Sequence, residues 1–220
     1  MTAAAGTTDA DGARTALARG AAVVLPNPAP LTCVLAGTDA RAVNSAKGRP
    51  ADQAVALWAH DPGTVAALGL DAGVHRLLVE ERVTLLLRLP GGAGPAPATR
   101  DGWTMLFGAR WAPVLPVLAP HPVLYVSSAN RTGRPPAATA AEAAAMFPAT
   151  VPVLDPAGLS GIDDGPTATP RAATTTLRLH PDGRLELHRR GAQDGAFADP
   201  DRYLDHVRAR YLRPGAAGRG

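Results

Sequence analysis

Short apolar runs, each four to seven residues long, govern what this chain can fold into. The clearest is Val83–Leu89, read as VTLLLRL; Ala21–Leu25, Val55–Trp58, Trp103–Phe107, Val123–Ser127 and Val151–Leu154 are similar. Runs of this length bounded by Gly, Pro and Asp are buried strands rather than buried helices. Helix signals lie between them. Ala13–Arg19 follows Asp9 and Asp11 and is closed by Gly20, Asp39–Ala46 is a second stretch, and Asp61-Pro62 opens a third that runs to about Leu70. Thr139-Ala-Ala-Glu142 is a capping box before an alanine-rich helix ending at Phe147-Pro148, and Asp199–Leu212 is a terminal helix. Pro116 leaves Pro113–Ala119 ambiguous. Thr174–Leu179 and Arg184–His188, joined by HPDG, predict a β-hairpin. Strands alternating with helices and closed by a hairpin predict an α/β protein: a twisted mixed β-sheet flanked by helices.

The 220 residues suit one large domain with a tail. Residues 1–12 read as a disordered lead-in, 13–194 as the domain, and 195–220 as a helical extension ending in a frayed tail from Pro214. Three loops punctuate the domain: Pro26–Leu31 (PNPAPL), Pro90–Gly102, and the Gly-, Asp-, Pro- and Thr-rich Gly158–Arg171. With 4% aromatic residues among 46% hydrophobic ones, the core must be built from Leu, Val and Ala.

No apolar run approaches the roughly 18 residues a membrane span needs, and the first residues lack the basic-then-apolar order of a secretory signal. Cys33 is the single cysteine, so no internal disulfide forms. The six histidines make no HxxxH or HxH pair, and no metal site is expected. A cytoplasmic protein follows as the expectation. GxGxxG and GxxxxGK[ST] are absent, against dinucleotide and P-loop readings.

A pI near 9.6 permits a nucleic-acid partner without requiring one. Of the 22 basic side chains, Lys47 is the only lysine, in a chain whose composition otherwise favours arginine. It opens KGRP, Lys47 to Pro50. The stretch YVSSANRTGRPP, Tyr125 to Pro136, turns abruptly from apolar to small and polar. A strand ending in hydroxyls, an amide and a glycine is how α/β proteins present short donors to an anion, and a plain solvated loop has the same look.

Three pieces in fixed order carry a family resemblance: KGRP, SSANRTGRPPAATAAE from Ser127 to Glu142, and the hairpin TTTLRL…LELHRRG from Thr174 to Gly191. Together they resemble the YrdC-like family of threonylcarbamoyl-adenylate synthases, whose members carry KxRP, S-[TS]-SAN-x-SG-x-P-x-x-T-x-x-E and STVVD…LRxG. The likeness covers about Ala13 to Asp194. It implies the YrdC-like fold with a concave cationic face. It also implies a reaction in which ATP, with magnesium as its counter-ion, bicarbonate and L-threonine give threonylcarbamoyl-AMP and pyrophosphate. The product feeds tRNA modification. Such chemistry asks for charge stabilisation and positioning more than for acid–base groups.

The resemblance assigns Lys47 and Arg49 to phosphates, a point charge beside a fork. It assigns Ser127, Ser128 and Asn130 to phosphate or adenylate oxygens, Arg189 to the nucleotide, and Thr104 to the hydroxyl position before the family's VAVR strand. Thr174 matches the serine of STVVD and looks toward the amino-acid substrate.

Departures gather on the second-substrate side. Where the family has P-T-[ED]-T-x-Y-G-L, this chain has Pro26-Asn27-Pro28-Ala29-Pro30-Leu31-Thr32, leaving Asn27 there. Trp58 stands where longer members place a histidine. The VAVR arginine becomes Gly108, and Arg110, two residues on, keeps the same face if the strand continues. The P-G-P before VTLLL becomes Glu80-Glu81-Arg82. Each lost charge-assisted contact to a carboxylate costs about 1.5–3 kcal/mol. These losses point to a paralogue that keeps a nucleotide and takes another small-molecule acceptor, or none. Alternatives are an RNA-binding module for tRNA or double-stranded RNA, and a non-catalytic partner subunit; sparse aromatics favour structured RNA over single strands.

Overall fold

The computed structural model describes residues 6–92, 94–159 and 170–212. Most of the expected Gly158–Arg171 loop and the tail from Pro214 lie outside the described residues. The chain divides into two compact units, Met1–Val55 with Trp111–Ala173 and Ala56–Arg110 with Thr174–Gly220. The single domain expected over 13–194 is therefore apportioned between two units, because the chain crosses from one to the other three times. The expected 195–220 extension supplies a helix to the second unit rather than standing apart.

The first unit holds β1 (Thr7–Thr8), α1 (Ala10–Ala18), β2 (Val23–Leu25), β3 (Val34–Gly37) and α2 (Ala40–Lys47). Its second segment adds α5 (Leu115–Leu118), β8 (Tyr125–Ser128), α6 (Ala140–Met146) and β9 (Val153–Leu154). Strand order is β1-β9-β2-β3-β8. β9 lies parallel to β1 and β2, while β2–β3 and β3–β8 are antiparallel. The disordered lead-in is corrected from residue 6 onward. Thr7–Thr8 gains ladder bonds from β9, and Asp9 caps α1 by accepting from the Gly12 N–H at 2.8 Å. As composition demands, the core is aliphatic and small: Val24, Leu35, Val43, Ala129, Ala137, Ala140 and Val153 pack with Phe147. Thr139 caps α6 as expected, its hydroxyl accepting from the Glu142 N–H at 3.2 Å. The Glu142 carboxylate reaches back to the Ala138 N–H at 2.7 Å, one residue earlier than the usual capping box.

The second unit holds β4 (Ala56–Trp58), α3 (Pro62–Ala67), α4 (Ala72–Glu80), β5 (Thr84–Leu87), β6 (Thr99–Arg100) and β7 (Trp103–Phe107). The hairpin β10 (Thr176–Leu179) and β11 (Leu185–Arg189) and the helix α7 (Pro200–Tyr211) complete it. Its strands run β4-β7-β5-β10-β11, with β6 also on β7. β4–β7 and β5–β10 are parallel; β5–β7, β6–β7 and β10–β11 are antiparallel. Asp61 caps α3 through the Thr64 N–H at 2.6 Å, with Pro62 in the first turn. The Pro90–Gly102 loop contains β6, folded back on β7 by a two-residue turn at Asp101 (φ 52°) and Gly102 (φ 76°), the Asp-Gly geometry that suits a hairpin.

Besides β1 and β6, two elements exceed the sequence-based expectation. β3 is four residues squeezed between the proline loop and α2, and is defined by pairing with β2 and β8. α4 buries Val74, Leu77 and Leu78, an i, i+3, i+4 stripe. It lies against α7 so closely that a side-chain carbon on Gly73 would sit 2.4 Å from the Tyr211 carbonyl.

Candidate functional site

In the first unit, α2 ends at Lys47 because Gly48 adopts the left-handed conformation (φ 68°), turning KGRP back along the helix. β8, with Ser127 and Ser128 in register with Leu35 and Val34 of β3, delivers Ser128, Ala129 and Asn130 from the other direction. The two motifs interlock. Lys47, 4% exposed, donates from Nζ to Asn130 Oδ1 at 2.7 Å and to the Ser128 carbonyl. Ser128 Oγ donates to the same Oδ1 at 2.6 Å. Asn130 Nδ2 donates to the carbonyls of Arg134 at 2.8 Å and Arg131 at 3.1 Å. Thr132 closes the loop, its N–H and Oγ1 donating to the Lys47 carbonyl at 3.0 and 3.1 Å. Asn130 Oδ1 and the Ser128 carbonyl, two oxygens of the SSAN turn, tie the buried ammonium of KGRP to the end of β8.

Arg49 sits beside this knot. Its Nε donates to Asn44 Oδ1, and Asn44, fully buried, is fixed by donating to the carbonyls of Gln53 at 2.8 Å and Ala51 at 3.0 Å. Arg49 Nη2 is buried with no hydrogen-bond partner. Burial holds the Arg49 pKa below its usual value, though a guanidinium stays charged at neutral pH. Ser127 is half-buried in β8.

Asn27 is 3% exposed, donating from Nδ2 to the Thr32 carbonyl at 3.0 Å while its buried Oδ1 has no hydrogen-bond partner. Arg171 pins the same loop, donating from Nη1 to the Asn27 and Leu31 carbonyls, each at 3.0 Å. Neither Thr132 nor Arg171 was a sequence candidate. Thr132 sits inside the SSANRTGRPP run and so had a signal, whereas Arg171 follows the Thr- and Pro-rich loop and had none.

In the second unit the candidates behave differently. Trp58 is fully buried, donates from Nε1 to the Ala109 carbonyl at 2.8 Å, and meets His60 and Phe107 edge-on. The expectation that it faces a second substrate is corrected: its whole surface is used in packing. Thr104, 1% exposed, pairs its hydroxyl with Thr99 Oγ1 at 2.9 Å under Gly94, where any Cβ would collide with both hydroxyls. That uses the Thr104 hydroxyl inside the unit.

Gly108 also has a physical cause. A Cβ there would lie 1.8 Å from the Leu78 carbonyl of α4, so no arginine fits. Since β7 stops at Phe107, strand alternation does not carry from 108 to 110, which removes the argument for Arg110 as a substitute. Arg110 is half-buried, with no hydrogen-bond or ion-pair partner among the described residues.

Thr174 shares a hydrogen bond with Thr84 Oγ1 at 2.7 Å, and its carbonyl accepts from Arg189 Nη2 at 3.2 Å. The Arg189 side chain is exposed. Just beyond, the buried Asp194 accepts from Thr175 Oγ1 and the Gly191 N–H, each at 2.6 Å, and from Arg190 Nε at 2.9 Å. Burial pushes the Asp194 carboxyl up, and these bonds outweigh it, leaving it below the usual carboxylate range.

None of the candidates is a carboxylate or imidazole, the side chains that most often shuttle protons. Among the described residues no cluster of three His, Cys, Asp or Glu could hold a metal ion, and no helix is long and apolar enough to cross a membrane.

No family model matches the chain, and no curated protein matches its sequence. Solved structures do. Sua5 of P. abyssi, complexed with L-threonine, is 18% identical with a TM-score of 0.66, over 92% of this chain and 59% of that one. Full-length HypF in its phosphate- and nucleotide-bound form is 18% identical with a TM-score of 0.65, over 86% of this chain and 30% of that one. The MTH1692 protein of Methanobacterium thermoautotrophicum is 18% identical with a TM-score of 0.53, over 100% of this chain and 98% of that one. The chain thus spans 59% of Sua5 and 30% of HypF. At this identity the likeness is one of fold: a mixed α/β sheet flanked by helices, as in the Sua5 and YrdC proteins.

Proposed function

We propose that this chain is a nucleotide-binding enzyme related to the threonylcarbamoyl-adenylate synthases, with an altered acceptor site. The observation that carries the reading is the interlock of KGRP with SSAN. Lys47, Ser128 and Asn130 share one hydrogen-bonded knot, and beside it Arg49 keeps a buried Nη2 without a hydrogen-bond partner. A buried donor left unsatisfied costs about 1–3 kcal/mol, which an anionic oxygen would recover. In this reading Lys47 supplies field and rigidity, and Arg49 and Ser127 touch phosphate oxygens. ATP enters as substrate with its counter-ion, and bicarbonate as co-substrate. The acceptor differs from threonine because PNPAPL offers Asn27 where the family offers hydroxyls and a carboxylate.

The test is pyrophosphate release from ATP and bicarbonate across a panel of amino acids and related amines. Release with an acceptor other than threonine supports the reading. Threonine binding as tight as ATP binding would overturn the altered acceptor, and no release with any acceptor would overturn the enzyme. Arg49→Ala should weaken ATP binding about 10-fold or more while leaving the fold intact.

A further inference from the structure

The second unit carries a cationic cluster that the nucleotide reading does not use. Strand register places Leu86, Met105, Arg178 and Glu186 side by side on one face of the sheet. Trp103, two residues before Met105 in β7, shares that face, and Arg88 and His180, just past the ends of β5 and β10, meet its ring. There, Arg88 Cζ lies 5.1 Å and Arg178 Cζ 5.0 Å from the Trp103 ring centre, and the His180 ring meets Trp103 edge-on at 5.3 Å.

Two guanidinium groups on one indole are within about 10 Å of each other, a Debye length or less. Neither has a hydrogen bond or ion pair to any described residue, and Arg178 Nε is buried without a partner. The nearest acid in register, Glu186, is committed elsewhere, to His180 Nε2 at 3.0 Å and to Arg184. His188, on β11, registers the positive field: burial and the Arg178 and Arg189 charges hold it below the usual imidazole range. Arg88 and His180 also border a cleft of about 160 Å³ at the carboxyl ends of the parallel strands β5 and β10, where α/β proteins tend to take ligands. Leu70, Leu87 and Leu179 line it, with the Asp71 carboxylate turned to the Val74 N–H at 2.9 Å.

We propose that Arg88, Trp103 and Arg178 form a second anion site, sharing no residue with the Lys47–Asn130 knot, that takes a phosphate group. Stacking on the indole fixes both guanidinium planes while leaving their N–H forks unpaired, so little side-chain freedom is lost when an oxyanion bridges them. The phosphate belongs to a small ligand such as a polyphosphate or to the backbone of an RNA duplex.

The probes are inorganic pyrophosphate and a 16-base-pair RNA duplex, titrated against the full chain. The readout is the Trp103 indole N–H in a nitrogen-correlated spectrum, assigned by its loss in Trp103→Phe. A saturable shift that weakens about 10-fold or more in Arg88→Gln and in Arg178→Gln is expected. A shift with both probes means the phosphate group suffices; a shift with RNA alone, declining steeply with salt, assigns the site to a polynucleotide backbone. No shift with either probe, or a shift unchanged in both folded variants, overturns the proposal. Glutamine keeps the side-chain stem over the ring, so loss of charge is separated from loss of packing.

Discussion

Asn130 does two things with one amide. Its Oδ1 takes hydrogen bonds from Lys47 and Ser128, while Nδ2 holds the carbonyls of Arg131 and Arg134. Asn130→Ala should therefore strip an acceptor from a nearly buried ammonium, at a cost of about 2–3 kcal/mol in urea unfolding. A loss under about 0.5 kcal/mol would mean water replaces the amide without penalty. Gly108 is stricter. With a carbonyl 1.8 Å from any Cβ, Gly108→Ala must displace α4 or β7, and a loss of at least about 3 kcal/mol is expected.

Asp194 gives a pH signature. Its folded pKa is depressed, so its contribution is present above the unfolded value near 4 and is lost as pH falls through the folded one. The stability gap between wild type and Asp194→Asn should be widest near neutrality and should close below about pH 4; a pH-independent gap would remove Asp194 from the acid response.

At the scale of elements, caps and periodicity were the legible part. Asp9, Asp39, Asp61, Thr139 and Asp199 each accept a backbone N–H at a helix start. Such signals are local, which is why a sequence exposes them. β3 was not legible, since four apolar residues after a proline loop have no period to read. α4 carried its stripe, but Gly73 weakens the pattern for a reason seen only in the fold, the approach of the Tyr211 carbonyl. The cap that turns KGRP is itself testable. Gly48 has φ 68°, and Gly48→Ala should cost about 1–2 kcal/mol and loosen the Lys47 knot, seen as faster amide exchange at Thr132, whose N–H rests on the Lys47 carbonyl.

Over the whole molecule, each unit is assembled from two separated segments. Residues 56–110 contain α4 and β5 but lack β10, which pairs with β5, and α7, which lies against α4. Expressed alone they should show no cooperative thermal transition; a sharp one would mean that the hairpin and α7 are accessory.

By itself the sequence determined the mixed α/β class, the helix starts at Asp39, Asp61, Thr139 and Asp199, the closing hairpin, and the motifs KGRP and SSAN. All of these rest on neighbours within a few positions. Tertiary structure alone decided that Lys47 turns inward to Asn130, 83 positions away, that Trp58 is core, and that α4 forbids an arginine at 108. It also brought Arg88 and Arg178 onto one indole. The reason is physical: a side chain's type fixes which bonds it can make, while strand register and helix packing fix which partner comes within about 3 Å to make them.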